Sequence, residues 1–195
     1  MRVIGLTGGI GMGKSTVAGH FRRAHIPVFD ADAAVHRLQA PGGAALPPIE
    51  AAFPGSVVNG VLDRAALRAA VLPDRAALKR LEAIMHPLVR TAERRFLAQS
   101  RRLRAPAAVL DIPLLLEAGG RKRVDTVIVV SAPRDVQIHR VLQRGKMTRP
   151  QILQVIARQM PDAEKRRQAD IVIRTGLSRH LTWRQVRAIL RSLRA

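Results

Sequence analysis

The sequence predicts an α/β protein built on a five-stranded, mostly parallel sheet, and three observations carry that prediction. Five short apolar runs, at residues 3–6, 27–29, 107–110, 124–130 and 171–173, alternate with helical patterns. Those runs show little polar alternation, which suits strands covered on both faces. A glycine-rich turn follows the first run and leads straight into a helical pattern at 15–23, the arrangement of a strand, a phosphate-sized loop and a helix.

The remaining elements follow in chain order. Asp32 is a natural N-cap for a helix over 33–39. The long interval between the second and third runs is rich in helix signals: 44–52, then Asp63 capping 64–71, then Asp74 capping a long stretch towards Arg102. Pro73 suits a boundary, and Pro87 is expected to kink or end a helix at His86. Residues 38–104 therefore read as a helical insertion on one side of a core made of 1–37, 105–139 and 168–195, with a further helical segment at 140–167. Thr148 with Gln151 forms a capping signature for a helix through about Met160, and Thr182 with Gln185 is expected to do the same for the C-terminal helix.

Composition bounds the function. The 195 residues can bury a full core without covalent staples. There are no cysteines, so disulfides, thiolate metal sites and cysteine nucleophiles are excluded. The start MRVIGLTGG leaves no long apolar leader, and no run of about 18 apolar residues is present, so a cytoplasmic protein without a membrane partner is expected. The net charge is +20, carried mostly by arginine, and such a charge attracts nucleotides and other polyanions. Aromatic residues make up only 3%, a poor supply of stacking surfaces for single strands, so no specific nucleic-acid partner is expected.

The sharpest motif is Gly8-Gly9-Ile10-Gly11-Met12-Gly13-Lys14-Ser15, a full match to the phosphate-binding loop G-x-x-x-x-G-K-[ST]. Glycines let the backbone curl so that successive N–H groups point at phosphate oxygens, and the helix start adds its positive end. Lys14 would reach the β- and γ-phosphates, and the Ser15 hydroxyl would bind Mg²⁺.

Two further clusters lie at strand ends, where ligands of open α/β sheets collect. The second run ends in Asp30-Ala31-Asp32. A carboxylate there can accept a proton from an attacking hydroxyl, or Asp32 can simply cap its helix. The third run ends in Asp111-Ile112-Pro113-Leu114-Leu115-Leu116-Glu117. Asp111 occupies the place of an acid that binds Mg²⁺ through water, Pro113 stops the strand, and Glu117 could meet a substrate hydroxyl or cap locally.

Taken together, the glycine loop, the DAD triplet ending at Asp32, the His86-Pro87 pair, the 113–117 run and the Gln159-Met160-Pro161 stretch followed by Lys165-Arg166 and Ala169-Asp170 resemble the dephospho-CoA kinase family. The resemblance implies a three-layer P-loop NTPase fold with a helical substrate-binding insertion at 38–104 and a lid at 140–167. It implies transfer of the ATP γ-phosphoryl to the ribose 3′-hydroxyl of dephospho-CoA, with Mg²⁺, in a monomer or weak homo-oligomer. Carried onto this sequence, it makes Asp32 the general base beside a catalytic Lys14. It assigns ATP contacts to Gly9, Gly11, Met12, Gly13, Lys14, Ser15 and Thr16. His86, Pro113, Leu114, Leu115 and Glu117 fall on the substrate side, with Ser15 and Asp111 at the metal. Arg140 and Arg144, expected four residues apart on one helix face, resemble lid arginines that close over ATP. Another small-molecule kinase of the same fold, of nucleoside monophosphate or shikimate type, would share the cradle and differ in its acceptor.

Overall fold

The computed structural model of the chain describes residues 1–193. Five strands form one sheet: β1 (Arg2–Thr7), β2 (Val28–Asp30), β5 (Ala107–Asp111), β6 (Thr126–Ser131) and β7 (Ile171–Arg174), in the order β2-β5-β1-β6-β7. β1 lies parallel to β5 on one side and to β6 on the other, and β6 is parallel to β7. Each expected strand is present. Every residue of β5 is buried, as is all of β6 after Thr126, which explains their unbroken apolar composition.

The chain divides into two compact units, Met1–Phe29 with Gln99–Ala195, and Asp30–Ala98. Residues 194 and 195, which the sequence reading joined to the core, lie outside the described residues.

In the first unit the sheet packs against α1 (Lys14–Arg23) and α9 (Arg179–Ser192). Alternate residues Ile4, Leu6, Val109, Ile128 and Val130 share one apolar cluster with Val17, Phe21, Val186 and Ile189 from those two helices. Three shorter helices follow β6: α6 (Arg134–Leu142), α7 (Arg149–Arg158) and α8 (Asp162–Arg167). The capping box of Thr148 and Gln151 opens α7 as expected.

The C-terminal helix corrects one expectation. Its N-cap is Ser178, whose hydroxyl accepts from Leu181 N at 3.1 Å, not Thr182. Thr182 lies inside the helix and is buried. Gln185 serves the sheet instead. Its Oε1 accepts from Arg174 N and its Nε2 donates to Arg174 O, both at 2.9 Å, satisfying the backbone at the open edge of β7. A capping signature cannot by itself register this rival partner, which is distant in sequence.

The second unit holds α2 (Ala31–Leu38), α3 (Leu46–Ala52), α4 (Arg64–Val71) and most of α5 (Arg75–Arg102). Leu46, Ile49, Phe53, Leu67, Val71 and Met85 form its core, and Val35 and Leu38 pack on it, which is why α2 belongs to this unit. The unit is not wholly helical. Val57–Val58 (β3) and Val61–Leu62 (β4) pair antiparallel around Asn59 and Gly60, at φ 51° and 76°. Positive φ at both central residues is the two-residue hairpin geometry that an Asn-Gly pair favours. Pro87 does not end α5 at His86: the helix continues through it to Arg102. An interior proline costs roughly 3 kcal/mol of helix propensity. The apolar stripe of Ala77, Leu81, Ile84, Met85 and Leu88 crosses the proline without a break and offsets that cost. Asp63 caps α4 as expected, its Oδ1 accepting from Ala65 N and Ala66 N. Among the described residues no helix is long and apolar enough to cross a membrane.

One titration is built into the first unit. The His20 ring stacks on Trp183 with centroids 5.0 Å apart, and its Nδ1 lies 2.8 Å from an Arg23 guanidinium nitrogen. Burial, then the charge of Arg23, lowers its pKa below the usual 6.5. A histidine held neutral in the fold favours folding above the unfolded pKa, and that contribution disappears as pH falls below 6.5 and through the lowered value. Thermal melts across this range should show His20→Phe, which keeps a ring against Trp183, losing less stability on acidification than the parent. Equal acid sensitivity in both would show that His20 does not carry the effect.

Candidate active site

The site begins where β1 stops. Residues 8–13 turn the chain into α1, with Gly11 at φ 73° and Gly13 at φ 92°. Both values lie in the left-handed region that side chains resist, and a Cβ on Gly11 would fall 2.6 Å from Gln137 O. Gly13 is the N-cap of α1. It supplies no side-chain cap, and the first turn holds no acidic residue. The first N–H groups of a helix have no partner within the helix. Here Thr16 N turns back to Gly13 O at 3.1 Å and no side chain caps the helix, so the start of α1 has the open form that suits an anion.

The bend is held from outside. Gln159 Oε1 accepts from Ile10 N at 3.0 Å, and Gln137 Nε2 donates to Ile10 O at 2.7 Å. The Met12 side chain is buried, and its sulfur accepts from Ala132 N at 3.1 Å. Thr175 Oγ1 donates to Met12 O at 2.5 Å. The same Thr175 receives Arg140, whose Nη1 donates to Oγ1 at 3.0 Å and whose Nη2 donates to the carbonyl at 2.6 Å.

Lys14 and Asp111 form an ion pair, with side chains 17% and 5% exposed. The sheet register explains the meeting: Asp111 pairs with Leu6 at the C-terminal ends of β5 and β1, one residue before the loop begins its approach. Ser15 and Thr16 are exposed beside Lys14 on the first turn of α1. A pair this shielded loses about 3–5 kcal/mol when one member is removed, because the other charge is left without compensation.

Other expected site residues are placed differently from one another. Arg140 lies on α6 against the glycine bend, whereas Arg144 does not share its helix face. α6 ends at Leu142, and Arg144 lies beyond it, exposed in the turn that precedes Gly145 at φ 66°. The four-residue spacing predicted a common face only while the helix continued. Arg166, in the stretch that carries the family resemblance, pairs with Asp162 at 3.0 Å. Asp32 is not the N-cap of α2; Asp30 is, accepting from Ala33 N at 2.9 Å. Asp32 stands exposed in the first turn of α2. His86 is exposed on α5.

In the 113–117 loop, Thr7 Oγ1 donates to Pro113 O at 2.8 Å. Leu114 is 48% exposed, while Leu115 is fully buried, packed so closely on Gly5 and Gly120 that a Cβ on either glycine would come within 2.5 Å of it. The Leu115 side chain therefore belongs to the core. Glu117 meets a lysine: its Oε1 lies 2.6 Å from Lys165 Nζ and accepts from Met160 N at 3.3 Å. Gln137 and Thr175 carry no sequence signal, since the bend residues they hold, Ile10 and Met12, lie 127 and 163 residues away. Gln159 and Lys165 fall in a stretch already singled out, but without a role.

A family model for dephospho-CoA kinase matches residues 2–178. A dephospho-CoA kinase from Mesorhizobium japonicum is 56% identical over 194 residues, covering 100% of this chain and 98% of that protein. A crystal structure from Thermus thermophilus superposes with a TM-score of 0.84 at 39% identity, covering 98% of this chain and 97% of that one. A dephospho-CoA kinase from Campylobacter jejuni superposes with a TM-score of 0.73 at 23% identity, covering 98% and 96%. With a family model matched over residues 2–178 and a relative matched along its whole length, the chain belongs to the dephospho-CoA kinase family.

Proposed function

We propose that this ATP-dependent kinase phosphorylates the ribose 3′-hydroxyl of dephospho-CoA, giving CoA and ADP, and that the glycine bend with Lys14 is where the triphosphate sits. The carrying observation is the start of α1, uncapped, free of acids and flanked by the Lys14 ammonium. The bend N–H groups and Lys14 bind the β- and γ-phosphates, Lys14 exchanging part of its contact with Asp111 for phosphate oxygen. Arg140, already anchored beside Gly13, offers its guanidinium to charge on the transferring group. Arg144 and the exposed 143–149 turn belong to a lid over the nucleotide, which excludes water from the phosphoryl group.

Asp32 is the general base. It follows β2 directly, and its carboxylate is released from capping because Asp30 does that work. It takes the hydroxyl proton while the ribose oxygen bonds to the γ-phosphorus and the bond to the β–γ bridging oxygen breaks, releasing ADP. Residues 38–104, with His86, form the acceptor-binding insertion, and Leu114 offers an apolar contact on the core side.

The donor set around Lys14 also fits Mg²⁺. Among the described residues no group of three or more His, Cys, Asp or Glu is arranged to hold a metal, but Mg²⁺ on a nucleotide needs only one or two hard protein oxygens. Ser15 Oγ would bind it directly and Asp111 through water; once bound with ATP it neutralises charge on the β- and γ-oxygens. The absence of cysteine and of a spanning helix among the described residues fits a cytoplasmic setting.

Asp32→Asn should lower kcat on the order of 10²–10⁴-fold while nucleotide binding, read by calorimetry, persists. Unchanged turnover in a coupled ADP-release assay would remove Asp32 from the base role. Lys14→Ala should weaken both ATP affinity and rate, with dephospho-CoA, AMP, CMP and shikimate compared as acceptors. Surviving turnover in that variant, or a preference for another acceptor, would overturn the assignment.

A further inference from the structure

α8 and the three residues before it touch three parts of the site at once. Gln159 holds the glycine bend through Ile10 N. Asp162 Oδ2 accepts from Ser131 Oγ at 2.8 Å, at the C-terminal end of β6, and Ser131 O in turn accepts from Thr175 N at 2.9 Å. Lys165 reaches Glu117 at the far end of the 113–117 loop, and Met160 N donates to the same carboxylate oxygen. One short segment thus ties the ends of β1, β6 and β5 together.

Lys165 is the unusual member. Its side chain is 1% exposed, and Glu117 is the only charge it meets among the described residues. A buried ammonium with one counter-charge adds little net stability compared with apolar side chains of the same volume. It does fix direction: the carboxylate must come to the ammonium, and the loop bearing it must follow.

We propose that Lys165 is a positioning residue for the phosphoryl acceptor. Through Glu117 it holds the 113–117 loop, and with it the exposed Leu114, in the orientation that receives dephospho-CoA. Glu117 is then an anchor of the loop and makes no contact with the acceptor itself. This inference rests on reading that loop as part of the acceptor side.

The test compares steady-state kinetics of Glu117→Gln, the apolar pair Lys165→Met with Glu117→Leu, and Leu114→Asp. The apolar pair removes both charges at once and fills the buried Lys165 position with a side chain of similar volume, so the fold survives even where Glu117→Gln, which strands the ammonium, does not. Loss of the ion pair should raise KM for dephospho-CoA about tenfold and leave KM for ATP within about twofold. Parent-like acceptor KM in the folded apolar pair, or equal losses for ATP and acceptor, would overturn the positioning role. Leu114→Asp separates the two layers of the argument. If it raises acceptor KM while the apolar pair does not, only the Lys165 proposal fails; if neither variant moves acceptor KM, the loop is not on the acceptor side.

Discussion

A helix that begins without a cap is an unfinished structure: several backbone N–H groups at its first turn need an acceptor. In this protein that deficit is kept open deliberately by the residues around it. Gly13 in the left-handed region brings the chain into α1 with no side chain of its own to offer, and no acid occupies the first turn. Water satisfies these groups only weakly compared with a phosphate, whose charge also complements the helix dipole. The rest of the core can be understood as holding that deficit still. β1 delivers the bend from the middle of the sheet, between β5 and β6. Gln137, Gln159, Thr175 and the buried Met12 side chain fix it on separate sides.

Charge is distributed on the same logic. Asp111 is buried at a strand end, where an isolated carboxylate would be costly, and Lys14 compensates it. The pair holds a cation next to the bend in a defined place. Arg140 is held similarly, by both oxygens of Thr175 rather than by an acid. An arginine bound to neutral acceptors keeps its full charge available to an incoming anion, which a carboxylate partner would have quenched. Lys165 and Glu117 make the opposite choice, a buried ammonium neutralised by a carboxylate at the surface, a pair whose value is geometric.

Local signals translated well wherever the partner was close in the chain. The five strands, the Asp63 cap and the Thr148–Gln151 box depend on residues within a few positions of one another. The glycine motif is of the same kind, because a bend followed by a helix start is dictated by backbone freedom over eight residues. Failures of the local reading have one cause. Thr182 looked like a cap until Ser178 and the edge of β7 competed for it and Gln185. Pro87 looked like a stop until the apolar stripe on either side of it was seen to pack as one surface. Leu115, assigned to the substrate side by the family likeness, packs instead against Gly5 and Gly120 in the core.

The amino-acid order alone therefore determined the strands, the glycine bend and the family likeness, because each is encoded in contiguous residues whose conformational preferences agree. Only the tertiary structure decided which carboxylate caps α2, which arginine stands at the bend, and that Glu117 answers to a buried lysine. Those outcomes turn on side chains from distant segments competing for the same polar groups, and such competition has no expression along a single stretch of chain.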